Sequence, residues 1–137
     1  MVRISVNDNI KFHTIAEALN KCFGKNYKGW QKATCVFNDS NFAWFPKLAV
    51  NKNGVPDAQD KVYGCINILS PDGLQIKESH SAADGEFECC LRFVFAKPSV
   101  KEDYRFVGVF KKNMDLSTNS YSIYDRVSET LDLTKYQ

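Results

Sequence analysis

Histidine is nearly missing from this chain: His13 and His80 are the two imidazoles among 137 residues. Each lies in its own polar segment with no nucleophile at a suggestive spacing, which removes the commonest general base. No GxSxG elbow, phosphate-binding P-loop, HExxH helix or DxDxDG calcium loop occurs. The acids of ADGEFE and KEDYR could hold a nuclease-type metal, but they fall in loops and lack a strand-borne acid-x-Lys pattern. The expectation is a protein without enzymatic activity, with no catalytic residue, metal or cofactor. His13 reads as a local capping or surface residue.

Other absences bound the class further. The five cysteines, Cys22, Cys35, Cys65, Cys89 and Cys90, are odd in number and contain no CxxC pair. Zinc-ligand spacing is therefore missing, and reduced, mostly buried structural thiols are expected. No stretch has the length of a signal-peptide core, and nowhere do 18 apolar residues follow one another; the chain reads as soluble and cytoplasmic, with no membrane partner. There is no internal repeat, low-complexity tract or second domain. Residues 1–137 fit one domain large enough for its own core.

Aromatics are abundant, with ten Phe, six Tyr and two Trp. So many Tyr and Trp exceed what a core needs, because each must find a partner for its polar tip. Thr14 and Glu17 stand at capping-box spacing, Gly24 offers a stop, and Ile15, Ala18, Leu19, Cys22 and Phe23 form one apolar stripe, predicting a helix of about three turns. Gln31–Phe37 and Phe42–Leu48 read as a hairpin around the polar turn 38–41. In the second arm Phe42, Trp44 and Pro46 share one face, Ala43, Phe45 and Lys47 the other. Pro46 cannot donate to a ladder, so the strand ends or bulges there. Val62–Leu69 and Leu74–Ser79 flank a Ser70-Pro71-Asp72-Gly73 turn, and residues 51–60 and 80–88 read as loops.

Three strands close the chain: Leu91–Ala96, Tyr104–Phe110 and Tyr121–Val127, with residues 128–133 as a short turn or strand. Tyr104–Phe110 is apolar on both faces and belongs in the middle of a covered sheet, while Gly108 inside it suggests a bulge or sharp bend. The fold expected is α+β, mainly β: a small, mostly antiparallel β-barrel of six or seven strands with one N-terminal helix packed on it.

Charge is unevenly spread. Residues 21–52 carry six lysines (Lys21, Lys25, Lys28, Lys32, Lys47, Lys52) against Asp39 alone, whereas residues 53–103 carry nine acids against five bases. A basic side of this kind is a footprint for phosphate-bearing partners, although a solvated lysine face gives the same pattern. Tyr27 and Trp30 interleave with Lys25, Lys28 and Lys32, the composition needed where backbone and base are touched together; alternatively Trp30 anchors its loop in the core. Trp44, two residues before the break at Pro46, is a candidate pocket wall or a core residue. Asn67, in an apolar run, must be hydrogen-bonded if buried, either by backbone or by the edge of a base. The candidate nucleic-acid-binding set is thus Lys25, Tyr27, Lys28, Trp30, Lys32, Trp44, Lys47 and Asn67.

The segments YRFVGVF and IYDRVSETLDL, with WFPKL and LSPDGLQI before them, resemble PUA-like β-barrel modules (EVE, ASCH and SRA-type) appended to restriction and HNH-type nucleases. The similarity spans Trp30 to Leu133. It implies recognition of modified bases in DNA, or of RNA, and provides no pocket motif to transfer residue by residue. Two functions follow. One is a reader of a modified or flipped base, with an aromatic pocket and a basic rim. The other is a phage- or defence-associated protein that binds and inhibits another protein through exposed aromatics and the acidic 57–103 side. With no nuclease domain attached, the chain reads as a stand-alone reader, a fragment of a larger nuclease, or an inhibitor.

Overall fold

The computed structural model describes residues 1–49, 51–52, 55–56, 66–79, 90–99 and 101–137. Cys65, His80, Cys89, the 80–88 loop, most of the 51–60 loop and the start of the Val62–Leu69 strand lie outside them.

The predicted helix, α1 (Ile15–Phe23), forms as its sequence signals require. Thr14 caps it by accepting the Glu17 N–H at 3.1 Å, while the Glu17 carboxylate accepts the His13 N–H at 3.1 Å and the Lys21 ammonium at 2.9 Å. Gly24, at φ +63°, ends it in the left-handed conformation that glycine adopts without steric cost.

An eight-stranded sheet dominates the described residues. Its members are β2 (Lys11–Phe12), β3 (Thr34–Asn38), β4 (Asn41–Trp44), β7 (Ile66–Leu69), β8 (Gln75–Ser79), β9 (Leu91–Ala96), β10 (Tyr104–Asn113) and β11 (Tyr121–Ser128). The order is β3-β4-β9-β10-β11-β8-β7, with β2 pairing alongside β10. All pairings are antiparallel except β4 with β9. Outside this sheet, β1 (Arg3–Ser5) pairs with β12 (Thr130–Asp132), the strand foreshadowed over 128–133, and β5 (Asn51–Lys52) with β6 (Val55–Pro56).

The expected barrel does not close as a ladder. Beyond Trp44 the chain meets Pro46, which has no N–H to donate, and regular pairing stops. Among the described residues, β7 is joined instead to the segment that follows β4 by one parallel bridge between Leu48 and Asn67, where the Ala49 N–H reaches the Asn67 carbonyl at 2.7 Å. On its other side the same segment is held by Leu48 N–H to the Lys97 carbonyl (2.8 Å) and Lys97 N–H to the Pro46 carbonyl (2.9 Å). The result is a curled, β-rich sheet with a seam.

Strand β10 is apolar on both faces because two cores meet on it. On one side, Leu19, Cys22 and Phe23 of α1 pack on Ala43, Phe45, Phe93, Phe95, Phe106 and Val109. Inside the curl, Phe42, Trp44, Ile76, Val94, Val107, Phe110 and Tyr124 form the second. Alternation therefore sorts Phe42 and Trp44 from Ala43 and Phe45, as their spacing predicts. Gly108, at φ +129°, makes the bulge: the register with β9 shifts between Phe106 and Gly108. That extra residue puts Val109 on the face of Phe106 and sends Phe110 inside the curl.

The Ser70–Gly73 turn closes with the Gly73 N–H on the Ser70 carbonyl at 2.9 Å. Leu74, two residues before the buried Ile76, is half exposed, because the turn still holds it: its N–H is bonded to the Asp72 carboxylate.

Candidate nucleic-acid interface

The seam opens a cavity of about 200 Å³ into the curl, lined by Trp44, Pro46, Lys47, Asn67, Glu78 and Tyr104 with Gln31, Ala33, Ile15 and Phe45. This is below the roughly 300–1,000 Å³ of sites for drug-sized ligands, which suits a single planar ring. Its walls follow from strand geometry. Asn67 and Glu78 face each other directly across β7 and β8, so both point into the curl from one rung of adjacent strands. Trp44 enters from β4 as the last residue before the break and meets the Tyr124 ring at 5.3 Å.

Behind this wall lies a buried cation. The Arg92 guanidinium sits over the rings of Phe42 (4.8 Å), Trp44 (4.9 Å) and Tyr124 (4.2 Å), and Arg92 is 3% exposed. Cation–π contacts from three sides hold Trp44 and Tyr124 in place. The Tyr124 hydroxyl donates to the Glu78 carboxylate at 3.4 Å, a long bond that links the ring cluster to the acid. Asn67 is 6% exposed, and its Oδ1 accepts no hydrogen bond among the described residues. A buried carbonyl without a donor costs about 1–3 kcal/mol.

Of the residues singled out in the sequence, Trp44, Lys47 and Asn67 come together in this cavity. Lys32 is exposed between Gln31 and Ala33, both cavity-lining, and stands at the rim. The aromatic-basic loop does not join them. Trp30 and Tyr27 stack on each other at 4.8 Å and pack against the helix-side core. The Tyr27 N–H and carbonyl are both gripped by the Asn20 side chain at 2.8 Å, and Trp30 Nε1–H donates to the Thr34 carbonyl at 3.3 Å. Trp30 thus anchors its loop rather than converging with Trp44. Lys25 and Tyr27 line a separate groove beside Lys135 and Tyr136, and Lys28 faces solvent.

Glu78, Tyr104 and Arg92 escaped the sequence reading as site residues. Glu78 had a signal: it shares strand parity with the buried Ile76, and an acid on an apolar face is informative. Arg92 likewise alternates with Val94 on a buried face.

The remaining thiols behave as structural groups. Cys22, Cys35 and Cys90 are buried and unbridged. Burial pushes the Cys22 thiol up to about 12 and raises that of Cys35, suppressing thiolate chemistry. Among the described residues no cluster of three or more His, Cys, Asp or Glu could hold a metal, and no helix is long and apolar enough to cross a membrane.

A curled, mainly antiparallel sheet with one helix and a ring-sized aromatic cavity is the build of the PUA-like modules found on restriction enzymes. The chain belongs to one family of that class, the SET and RING associated (SRA) domains, whose model matches residues 2–133. At the level of that family it is a DNA-binding, modified-base-reading module. Among solved structures it is similar to "The 5-Hydroxymethylcytosine-Specific Restriction Enzyme AbaSI", at 26% identity and a TM-score of 0.70, over 95% of this chain. The match covers 42% of that enzyme, so the chain spans less than half of its length. No curated protein matches the chain.

Proposed function

We propose that the chain reads a modified cytosine, of the 5-hydroxymethyl kind, swung out of duplex DNA into the Trp44–Asn67–Glu78 cavity. The observation that carries this reading is the buried Asn67 Oδ1 without a donor, directly opposite Glu78 across two strands. Cytosine presents its exocyclic amino group as a donor, and a hydroxymethyl substituent adds an O–H donor beside it. Two acceptors on neighbouring strands of one rung suit two such donors. Trp44 supplies an apolar face against the ring, and the cavity is large enough for one base and too small for a base pair. Lys47 and Lys32 at the rim suit the flanking phosphates.

Reading is proposed as the whole activity of this chain, without strand cleavage. The test is a tryptophan-fluorescence titration with hydroxymethylated, methylated and unmodified duplexes and matching RNA, repeated with magnesium and analysed for cleavage products. Preference for one modified duplex, with intact strands, is expected. Glu78→Gln should reduce that preference by roughly 5- to 150-fold, the effect of about 1–3 kcal/mol for a base-edge contact. Equal affinity for modified and unmodified duplexes would remove the base-reading role, and cleaved strands would remove the binding-only one.

A further inference from the structure

Strand alternation splits the start of β10 between two surfaces. Tyr104 lines the cavity, and Arg105, the next residue, points the other way into a depression of about 270 Å³ that it shares with Lys11, Lys101, Pro98, Glu102 and Asp103. We propose that this depression is a second DNA contact, a phosphate site reached from the cavity mouth by way of Lys47 and Lys97. The proposal rests on the base-reading function and adds to it the path of the backbone.

Three observations carry it. First, Arg105 and Lys11 are direct cross-strand partners of β10 and β2, and both are exposed. Like charges directly opposite each other destabilise a sheet, and a bound anion turns that repulsion into a clamp. Second, Lys11, Lys101 and Arg105 form no ion pair among the described residues. By contrast, Lys21 is neutralised by Glu17 at 2.9 Å and Arg126 by Glu129 at 3.1 Å. Of the two acids that line the depression, Glu102 and Asp103, the latter is turned to His13 Nδ1 at 3.1 Å.

Third, the charges are continuous with the cavity. Lys47 lines it, and Lys97, bridged to Lys47 through the backbone, sets its ammonium 5.1 Å from the Tyr104 ring that also lines it. Pro98, the residue after Lys97, then lines the depression. A second like-charged pair thus connects cavity and depression. DNA is the occupant that fits, because its phosphates recur along a line whereas a free anion would fill one point.

The test is the triple variant Lys11→Gln, Lys101→Gln, Arg105→Gln, titrated with modified and unmodified duplexes between 50 and 200 mM salt. Each lost phosphate contact should flatten the slope of log K against log salt by about 0.9. A loss of about two to three in slope is expected, with the preference for modified over unmodified duplex unchanged. The paired-charge control Lys21→Gln should leave the slope as it is. A slope unchanged in the triple variant overturns the phosphate site and leaves the base reader standing. A wild-type chain that binds no duplex overturns both. Because the substitutions relieve repulsion, the variant's unfolding midpoint should not fall; a clear drop would show that these side chains have partners and refute the premise.

Discussion

Replacing Asn67 by leucine should make the protein more stable and blind to the modified base. The two side chains share a branched shape, Asn67 is 6% exposed, and the cavity beside it gives the bulkier methyl groups room. The substitution removes a buried carbonyl that accepts no bond, a relief of about 1–3 kcal/mol. It adds apolar burial beside Trp44 at about 25 cal/mol per Å². Against these gains stands whatever the amide group donates, about 1 kcal/mol for a typical bond. The backbone bridge survives, since the Ala49 N–H bonds to the main-chain carbonyl of Asn67. A net gain of about 1–2 kcal/mol follows, or roughly 4–8 °C in midpoint for a domain of this size. The assay is thermal unfolding by circular dichroism, run beside duplex titrations of the same preparation. A midpoint lowered by several degrees would show that the carbonyl is satisfied in solution, and a retained preference for modified duplex would show that it reads nothing. Either result refutes the reasoning. The opposed signs in stability and binding are the signature of a site kept poor in bonds for its ligand.

Two further effects test the frame around the cavity. Gly108→Ala would place a Cβ 2.4 Å from Arg126 Cδ and 3.0 Å from the Ser128 carbonyl, at a φ of +129°. Strain and overpacking together should cost roughly 2–5 kcal/mol, read from the urea midpoint, and a loss under about 1 kcal/mol would mean the bulge relaxes freely. The Lys21 ammonium, then the His13 N–H, hold the Glu17 carboxyl below its ordinary value. Its contribution is therefore complete above the ordinary carboxylate range and lost as pH falls through the depressed value. Glu17→Gln should lower the urea midpoint at pH 7 and converge on the wild type near pH 3; an equal gap at both would place the effect outside this ionisation.

Much of the fold is legible in the chain because its signals are local. The cap at Thr14, the stop at Gly24, the turn at Ser70–Gly73 and the break at Pro46 each act over a few residues, and each appears in place. Strand Tyr104–Phe110 announced its central position by being apolar on both faces, and Gly108 announced its bulge. The parallel pairing of β4 with β9 joins residues about fifty positions apart, and no periodicity encodes it.

The candidate cavity was legible in part. Trp44 and Lys47 flank the break and meet Asn67 across the seam. Trp30 and Tyr27 lie outside it, because Asn20 and Thr34 satisfy their polar groups locally. Strand parity with Ile76 and Val94 marks Glu78 and Arg92 as charges on buried faces, but only the pairing of β7, β8, β9 and β11 brings Glu78 into the cavity and Arg92 behind its wall.

The single bridge at Leu48 and Asn67 has a mechanical consequence. A wall sewn by a full ladder opens only by breaking many bonds at once, and its stiffness is shared along the whole edge. Here the cavity lies against a join that, among the described residues, is made by one hydrogen bond, worth about 0.5–1.5 kcal/mol net. Separating the join there breaks one bond among the described residues, while β4 keeps its own ladder to β9. The Arg92-centred ring stack and β10 take no part in that bond.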